Sequence, residues 1–388
     1  MGFSDIIKKC EKDWDCPDLM TSVTKFDGKK IPFSSPSLNY MTYGGIPRAA
    51  ISHFFGYEGG GKSSTAIDEC NRALHLFEQE YAEEVARLET EAASGKKDAK
   101  IKLQDLKNVG PKKIVYVDME RSFSRSWANT IGLDIDDIYV MQPPNVSAES
   151  VLQSIQDLIT TGEVGLLVID SIPSLVPQKL LDKKFGEVSV APLAGLLTQF
   201  LYKVNQLLKM YDCTLILINQ IRDNMTNPFA VNTPGGRALR FYSSLMLEFK
   251  LGNPVDFLGN ELAQKVESAA GYKIIVRETK QKSAPFDRKQ GEYYLMAQTG
   301  LRPDFEFATL AIAKYNIIQK TKGWYTICDP VTKEPLEVDG NIVKVNGLAN
   351  VYAYLQNNPD YYDGMCKFIL DDINNSETET TLADDLDE

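Results

Sequence analysis

Short apolar runs alternate with helical periods along most of the chain. Nearly continuous runs of Val, Ile and Leu end at polar residues in "KKIVYVDME" (112–120), "VGLLVIDS" (164–171) and "CTLILINQI" (213–221). Helical periods accompany them over 63–77, 148–161 and 193–210. Buried strands separated by helices are typical of a parallel sheet that is covered on both faces and joined by right-handed crossovers. The pattern therefore predicts an α/β fold with a mostly parallel central sheet.

The remaining segments predict attachments to this core. Residues 78–113 are rich in Ala, Glu, Lys and Leu and are interrupted at Ser94-Gly95. They indicate a solvated helical hairpin, either a surface decoration or a partner-binding arm. The runs "SSLMLEFKL" and "YKIIVRETK" predict paired strands at one side of the sheet. The predicted divisions are an N-terminal helix and extended segment (1–36), an α/β core (37–305), a small α/β domain (306–370) and an acidic disordered tail (371–388).

Composition narrows the class of protein. The two histidines and the six scattered cysteines form no metal-ligand spacing, which favours free thiols in a reducing compartment. No apolar run of membrane-spanning length and no signal peptide is present, so we expect a soluble cytoplasmic protein. The net charge is −11, but eight acidic residues and no basic one lie in the tail, which leaves −3 for the rest. A basic groove for nucleic acid is therefore compatible with the sequence.

The stretch "GYEGGGKSST" (56–65) has the spacing of a phosphate-binding loop and follows a predicted strand, 49–55. Glycines let the backbone N–H groups approach phosphates closely, and the next helix presents its positive end. Lys62 is expected to reach the β- and γ-phosphates, and Ser63 to ligate Mg²⁺. The predicted nucleotide-binding residues here are Gly56, Glu58, Gly59, Gly60, Gly61, Lys62, Ser63 and Ser64.

Polar residues close the three buried strands beside this loop. Asp170 is placed to hold Mg²⁺ through water, or alternatively to cap the turn at Ser171. Glu120 is the candidate that orients an attacking water, with Asp118 as the alternative. Strand alternation puts both acids on one face, so periodicity does not choose between them. The Gln220 amide is placed to bind the γ-phosphate or the water and to report hydrolysis to the next loop.

Six motifs follow one another along the chain: "GGIPRAAISHFFGYEGGGKSS", "VYVDMERSF", "LLVIDSIPSLVP", "LILINQIRDNM", "PGGRALRFYSS" and "KQKSAPF". This set, in this order, resembles the bacterial RecA recombinases. The resemblance is strong over 33–305 and looser towards the C-terminus. It implies a RecA-like ATPase core, and the long insertion suggests a phage-type or otherwise divergent member of the family.

The resemblance assigns roles to residues around the ATP. Glu120 matches the family's water-activating glutamate, Gln220 its γ-phosphate sensor, and Trp127 an aromatic residue that stacks on adenine. Lys280 and Lys282 match paired lysines that reach ATP across a subunit interface, like an arginine finger. The segment from them to Pro285 is one residue shorter than expected, which leaves open which lysine reaches ATP.

The resemblance also implies DNA contacts from two loops, 183–192 and 222–236. Tyr202 departs from the family pattern, because a basic phosphate contact is expected there. Phe229 is expected to wedge between bases, or alternatively to anchor its loop in the core. The predicted DNA-binding residues are Val190, Thr198, Arg222, Met225, Phe229, Gly235, Gly236 and Arg237.

The implied assembly is a helical filament. The N-terminal segment is expected to dock on a neighbouring subunit, and Phe241 to lie in the ATP interface. The implied function is a DNA-dependent ATPase that forms filaments on single-stranded DNA, pairs it with homologous double-stranded DNA and exchanges strands. Two alternatives stay open: a RecA-like filament protein that modulates another recombinase, and a hexameric helicase, which shares the core but not the "GGRALRF" segment.

Overall fold

A computed structural model of the chain describes residues 3–13, 28–184, 192–223, 231–232, 235–263, 268–285 and 287–384. The helices are α1 (Phe3–Asp13), α2 (Pro36–Thr42), α3 (Lys62–Ala93), α4 (Lys97–Val109), α5 (Arg125–Ile131), α6 (Ala148–Thr160), α7 (Gln178–Leu181), α8 (Pro192–Tyr211), α9 (Arg237–Tyr242), α10 (Pro303–Ala313), α11 (Leu348–Asn357) and α12 (Pro359–Asp384). Within these ranges, no helix is both long and apolar enough to cross a membrane.

The strands run from β1 near the N-terminus to β18 in the C-terminal region. They are β1 (Lys30–Ile31), β2 (Ile46–Pro47), β3 (Ile51–Gly56), β4 (Lys113–Asp118), β5 (Tyr139–Met141), β6 (Val164–Asp170), β7 (Thr214–Gln220), β8 (Arg222–Asp223), β9 (Val231–Asn232), β10 (Leu245–Val255), β11 (Gly271–Gln281), β12 (Gln290–Met296), β13 (Gly300–Leu301), β14 (Ile318–Thr321), β15 (Trp324–Ile327), β16 (Glu337–Val338), β17 (Asn341–Ile342) and β18 (Lys344–Asn346).

A nine-stranded sheet organises the core, in the order β13-β12-β11-β10-β3-β7-β6-β4-β5. The six strands from β10 to β5 in this order are parallel, and β11, β12 and β13 extend the sheet in antiparallel fashion. This confirms the predicted α/β class and the pairing of "SSLMLEFKL" with "YKIIVRETK" as β10 and β11. Because parallel strands end at the same edge, Gly56 lies beside Gln220, and Asp118 beside Asp170.

The sheet is buried on both faces, which explains why its strands are apolar at consecutive positions. In β7, Ile216 and Ile218 join a core cluster with residues of α3, whereas Leu215 and Leu217 join a second cluster with residues of α6 and α8. Alternate side chains of a strand point to opposite faces, so a strand covered on both sides carries no polar alternation.

The insertion forms a helical hairpin, but its first arm is a continuation of the helix that follows the phosphate loop. Helix α3 runs unbroken for 32 residues, past Phe77, where the sequence pattern predicted its end. The chain turns at Ser94–Lys96, with Gly95 at φ +92°, and α4 returns along α3. Lys107 Nζ lies 2.7 Å from Glu89 Oε1 across the two arms.

The C-terminal region packs around a third cluster, formed by α10, α11, α12 and the antiparallel sheet β14-β15-β18. Helix α12 extends to Asp384, past residue 371, where the sequence predicted that an acidic disordered tail begins. Met365, Ile369 and Ile373 recur at helical spacing and are buried in the cluster, so the helix is packed against the domain as far as Ile373.

Two buried carboxylates hold the segment that leads into α2. The Asp68 carboxylate on α3 accepts hydrogen bonds from Ser34 Oγ (2.6 Å) and Ser34 N (3.2 Å). The Glu306 carboxylate on α10 accepts from Ser35 Oγ and from Ser37 N (3.3 Å). These contacts tie the nucleotide-loop helix and the C-terminal region to one short stretch of chain.

The Asp68 carboxyl predicts a pH dependence of stability. Burial raises the pKa of Asp68 to about 6 despite the Ser34 bonds, and Glu69 and Arg72 lie beside it on α3. A carboxyl with a raised pKa binds its proton more tightly in the native state than in the unfolded chain. It therefore stabilises the native state at low pH, and this stabilisation is lost as pH rises from about 4 to about 6. Between pH 4 and pH 7.5, the free energy of unfolding of Asp68→Asn is expected to increase by up to about 3 kcal/mol relative to that of the wild type.

Thermal and urea unfolding at both pH values measure this difference. Asp136→Asn is the matched control, because Asp136 makes an exposed ion pair with Arg125 and its replacement is expected to shift both curves little. The raised pKa would be contradicted if the difference in free energy of unfolding between the wild type and Asp68→Asn were the same at both pH values.

Candidate nucleotide-binding site

The phosphate loop joins β3 to α3, as the motif predicted. Gly56 ends β3, and a Cβ there would lie 2.1 Å from the Phe249 carbonyl oxygen of β10. Gly61 caps α3 in the left-handed region, at φ +86°, without a side-chain cap bond. At Gly56, only glycine fits without displacing the neighbouring strand. At Gly61, glycine adopts the left-handed conformation without the strain that a side chain would add. The loop therefore leaves its backbone N–H groups at the helix start available to an anion.

Lys62 is folded over the loop. Its side chain is 7% exposed, and Nζ donates to the carbonyl oxygens of Gly56 (3.1 Å) and Tyr57 (2.6 Å). Burial lowers the pKa of Lys62, and the negative charges of Asp170, Glu120 and Glu58 oppose this shift. The ammonium group is thus held inside the loop by groups that a triphosphate would replace.

Asp170 lies at the carboxyl end of β6, 5% exposed, beside the loop. Its Oδ2 accepts a hydrogen bond from the Tyr116 hydroxyl at 2.6 Å, and Ser63 also bonds the carboxylate. Burial raises the pKa of Asp170 in spite of these bonds. The carboxylate therefore meets Ser63, and the turn that begins at Ser171 has no side-chain cap bond.

Glu120 and Asp118 occupy different environments, contrary to the expectation that alternation keeps them on one face. Strand β4 ends at Asp118, so the alternation does not extend to Glu120. The buried Asp118 carboxylate accepts from Ser122 N (3.2 Å), Phe123 N (2.9 Å) and Gln142 Nε2 (2.8 Å). Its acceptor positions serve the turn at 122–123 and Gln142, and of these two acids Glu120 is the one that lines the cleft.

Glu120 Oε1 contacts side chains from the ends of two other strands, β6 and β7. It accepts a hydrogen bond from Ser171 Oγ, and Gln220 Nε2 lies 3.3 Å away. Both donors meet the same oxygen, and a carboxylate has a second oxygen that can accept further hydrogen bonds. The structure thus brings Glu120 and Gln220 together, as the predicted site requires.

Trp127 lies next to the loop, although it does not line the cleft. It is half-buried, and its indole Nε1 donates to Ser64 Oγ at 3.0 Å. A hydroxyl that accepts this bond keeps its own hydrogen for another acceptor. Trp127 therefore contacts the loop directly, in addition to its predicted stacking role.

Most predicted loop residues line one cleft, which is completed by three residues that the sequence did not reveal. The unpredicted lining residues are Ser171, Ile218 and Leu295. Leu295 comes from β12, in the antiparallel part of the sheet. Its only sequence signal is strand alternation, which does not indicate a neighbouring ligand. The predicted lining residues are Glu58, Gly59, Gly60, Gly61, Lys62, Ser63, Ser64, Glu120, Asp170 and Gln220.

Lys280, on β11, and Lys282, just after that strand, are not among the residues that line this cleft. Their side chains contact the C-terminal end of α9. Lys280 Nζ donates to the carbonyl oxygens of Arg240 and Phe241, the latter at 3.2 Å, and Lys282 Nζ donates to the Phe241 carbonyl at 3.0 Å. The Phe241 ring is 70% exposed. Burial and the positive charges of Lys282 and Arg240 lower the pKa of Lys280 to about 8. Two cations crowded beside an exposed aromatic ring are suited to receive an anion.

Part of the predicted DNA surface can be placed. Thr198 is exposed on α8, and its hydroxyl donates to the Ala194 carbonyl at 2.8 Å. Gly236 caps α9 at φ +74°, and the exposed Arg237 begins that helix. Gly235 is buried, and a Cβ there would lie 2.7 Å from Leu239, which gives this glycine a packing role.

The other predicted DNA contacts are only partly described. The backbone of Arg222 pairs with Asn232 in the β8–β9 ribbon. Val190, Met225 and Phe229 lie outside the described residues.

Comparison with known proteins agrees with the motifs and the geometry. Residues 83–302, more than half of the chain, match the family model for the RecA N-terminal domain. The chain is 28% identical over 366 residues to Protein RecA of Aquifex aeolicus, covering 94% of this chain and 89% of that one. It is 29% identical to Protein RecA of Thermus aquaticus (84% of each), and 27% identical to the mitochondrial DNA repair protein recA homolog of Dictyostelium discoideum (84% and 63%). The chain therefore belongs to the RecA family.

Proposed function

We propose that this protein is a DNA-dependent ATPase that forms helical filaments on single-stranded DNA and catalyses homologous pairing and strand exchange in recombination and repair. One observation carries the proposal. Gln220, whose amide lies 3.3 Å from Glu120 in the nucleotide cleft, is followed directly by the β8–β9 ribbon, and α9 comes after it. A change at the γ-phosphate therefore has a short covalent route to the proposed DNA loop.

The nucleotide is ATP, and Mg²⁺ fits the donors present. In the described part of the chain, no cluster of three or more acidic, His or Cys side chains offers a metal cage. Mg²⁺ typically uses one or two protein oxygens together with substrate phosphates and water. Ser63 and Asp170 supply such a pair, and Mg²⁺ bound there would offset the charge that develops on the phosphates. Lys62 and the backbone N–H groups of the loop would hold the phosphates themselves.

In hydrolysis, Glu120 orients the attacking water, and Gln220 senses the γ-phosphate. Phosphoryl transfer depends mainly on positioning and on stabilising charge. Ser171 and Gln220 hold one oxygen of Glu120, so its other oxygen is available to the water. Lys280 and Lys282 from a neighbouring subunit would supply positive charge to the same γ-phosphate. Loss of that phosphate would then loosen both the interface and the DNA loop.

The protein binds DNA through contacts that do not depend on the base sequence. Arg222 and Arg237 would neutralise phosphates, and apolar residues of loops 183–192 and 222–236 would separate or stack on bases. Base pairing between the strands supplies the homology test, so the protein needs only backbone and stacking contacts. The N-terminal segment and the ATP interface would repeat head to tail to build an open helix.

Electron microscopy and a strand-exchange assay test this function. Full-length protein, single-stranded DNA and a slowly hydrolysed ATP analogue are expected to give helical filaments. With ATP and a homologous duplex, joint molecules and then exchanged products are expected, and a heterologous duplex is the control. Closed rings would contradict the proposal in favour of a helicase. Filaments without exchange would favour a protein that modulates another recombinase.

A further inference from the structure

Tyr293 is a buried residue of β12 that contacts the underside of the phosphate loop. Its side chain is 0% exposed, and its hydroxyl lies 2.7 Å from Thr65 Oγ1 and 3.3 Å from the Gly61 carbonyl oxygen. Thr65 Oγ1 in turn donates to the Gly61 carbonyl at 3.0 Å. No step proposed above for ATP binding or hydrolysis uses this pair of hydroxyls.

The hydrogen bonds converge on a single carbonyl group. The Gly61 oxygen accepts from Thr65 N at 2.9 Å, as the first turn of α3 requires, and from the Thr65 hydroxyl. Each hydroxyl has one hydrogen to donate. Tyr293 can donate its hydrogen to the Gly61 oxygen at 3.3 Å or to Thr65 Oγ1 at 2.7 Å, and the shorter contact favours the relay in which Tyr293 donates to Thr65 and Thr65 donates to Gly61. The phenol therefore fixes the rotamer in which Thr65 faces this carbonyl.

The orientation of the Gly61 carbonyl determines what the loop presents to phosphate. A trans peptide unit is planar, so the Gly61 C=O and the Lys62 N–H point in opposite directions. Gly61 is in the left-handed region at φ +86° and has no side-chain cap, so its conformation depends on its surroundings. Holding the carbonyl on the Thr65 side keeps the Lys62 N–H turned away from it, towards the cleft that Gly61 and Lys62 line.

The phenol also limits the space behind the loop. A Cβ on Gly61 would lie 2.6 Å from the Tyr293 hydroxyl oxygen and 3.3 Å from Ile274 of β11. Leu295, two residues further along β12, lines the cleft on the same face of the strand. The antiparallel part of the sheet thus supports the phosphate loop from behind.

We propose that Tyr293 is a positioning residue that, acting through Thr65, sets the orientation of the Gly61–Lys62 peptide and thereby the affinity for ATP. This inference rests on the proposed nucleotide function of the loop. It predicts a defect in ATP binding rather than in the chemical step, because the phenol touches neither the phosphates nor the attacking water.

The test compares Tyr293→Phe and Thr65→Val with the wild type by direct ATP-binding measurements and steady-state kinetics. Each variant removes one hydroxyl and keeps the packing nearly intact. We expect Kd and KM for ATP to rise about five- to tenfold, with kcat at saturating ATP within about twofold, since one buried hydrogen bond is lost. The double variant is expected to be no worse than either single variant, because both break the same relay.

Two controls separate positioning from simple packing. Thr65→Ser keeps the hydroxyl and is expected to bind ATP like the wild type. Tyr294→Phe changes the neighbouring tyrosine, which packs on Phe305 of α10 on the other face of β12, and is expected to leave ATP affinity unchanged. If Tyr293→Phe does not fold, the contrast between Thr65→Val and Thr65→Ser carries the test.

The positioning role would be overturned if the variants bound ATP as tightly as the wild type and differed from it only in a lower melting temperature. Additive effects of the two substitutions on ATP affinity would also overturn it. The wild type measured alongside reports on the proposed function separately. If it binds no ATP, the proposed function fails and this inference fails with it. If it binds ATP and the variants match it, only the inference fails.

Discussion

Replacing Glu120 with glutamine is expected to lower the rate of ATP hydrolysis at saturating ATP by roughly 10²–10⁴-fold, the usual contribution of a positioned base. Glutamine has nearly the same shape as glutamate, so the contacts with Ser171 and Gln220 can re-form. What is lost is the negative oxygen that orients and polarises the water. KM for ATP and binding of single-stranded DNA are expected to change little, because the side-chain hydrogen bonds of Glu120 within the described part of the chain go to Ser171 and Gln220, and glutamine can keep both.

Asp118→Asn is the matched control, with the same change of charge close by on the chain. Its carboxylate bonds Ser122 N, Phe123 N and Gln142, so the variant is expected to lose stability while kcat stays within about tenfold. Single-turnover hydrolysis with thermal unfolding in parallel distinguishes the two acids. A variant Asp118→Asn that is stable and binds ATP but does not turn over would identify Asp118 as the base.

The central sheet and the position of the cleft were predictable because the signals are local. A glycine-rich turn between strand and helix has few conformations, and parallel strands end at one edge. Glu120, Asp170 and Gln220 could therefore be placed together from strand ends alone. The choice between Glu120 and Asp118 could not be made, since it depends on β4 ending at Asp118, and a strand end has no sharp sequence signal.

Residues that act across long sequence separations were missed. Tyr293 is 228 residues from Thr65, and its pattern is that of any core strand residue. The same limit applies to Ser35 and Glu306, which are 271 residues apart. Periodicity shows that such side chains are buried, but not what they contact. The boundary predicted at 371 is a different case: Met365 and Ile369 lie before it and Ile373 beyond it, so acidic composition was weighed against a single position of this apolar repeat.

The placement of Lys280 and Lys282 predicts a site shared between subunits. Both ammonium groups contact carbonyl oxygens at the end of α9, and neither lysine lines the cleft of its own chain. Helix α9 begins at Arg237, directly after the proposed DNA loop. An exposed Phe241 and a Lys280 pKa of about 8 mark this corner as a surface that gains from meeting an anionic partner. A neighbouring subunit's triphosphate has the required charge.

The double variant Lys280→Ala/Lys282→Ala is accordingly expected to lose DNA-dependent ATPase activity by roughly 10³-fold, in the range of an arginine finger. Mixing it with Glu120→Gln is expected to restore activity. Where a double-variant subunit with intact Glu120 meets a Glu120→Gln subunit with intact lysines, one complete site forms. Random head-to-tail assembly at equal concentrations gives roughly one quarter of the wild-type sites.

A second mixture provides the control for this recovery. Glu120→Gln and Lys62→Ala both damage the cleft of their own subunit, so no interface between them contains a complete site, and their mixture is expected to stay inactive. ATPase rates measured across mixing ratios, with single-stranded DNA in excess, distinguish the cases. Recovery in the lysine mixture alone, with a maximum near equal concentrations, requires that the lysines act on a neighbour's ATP. Equal inactivity in both mixtures would place them in their own subunit's site, or in none.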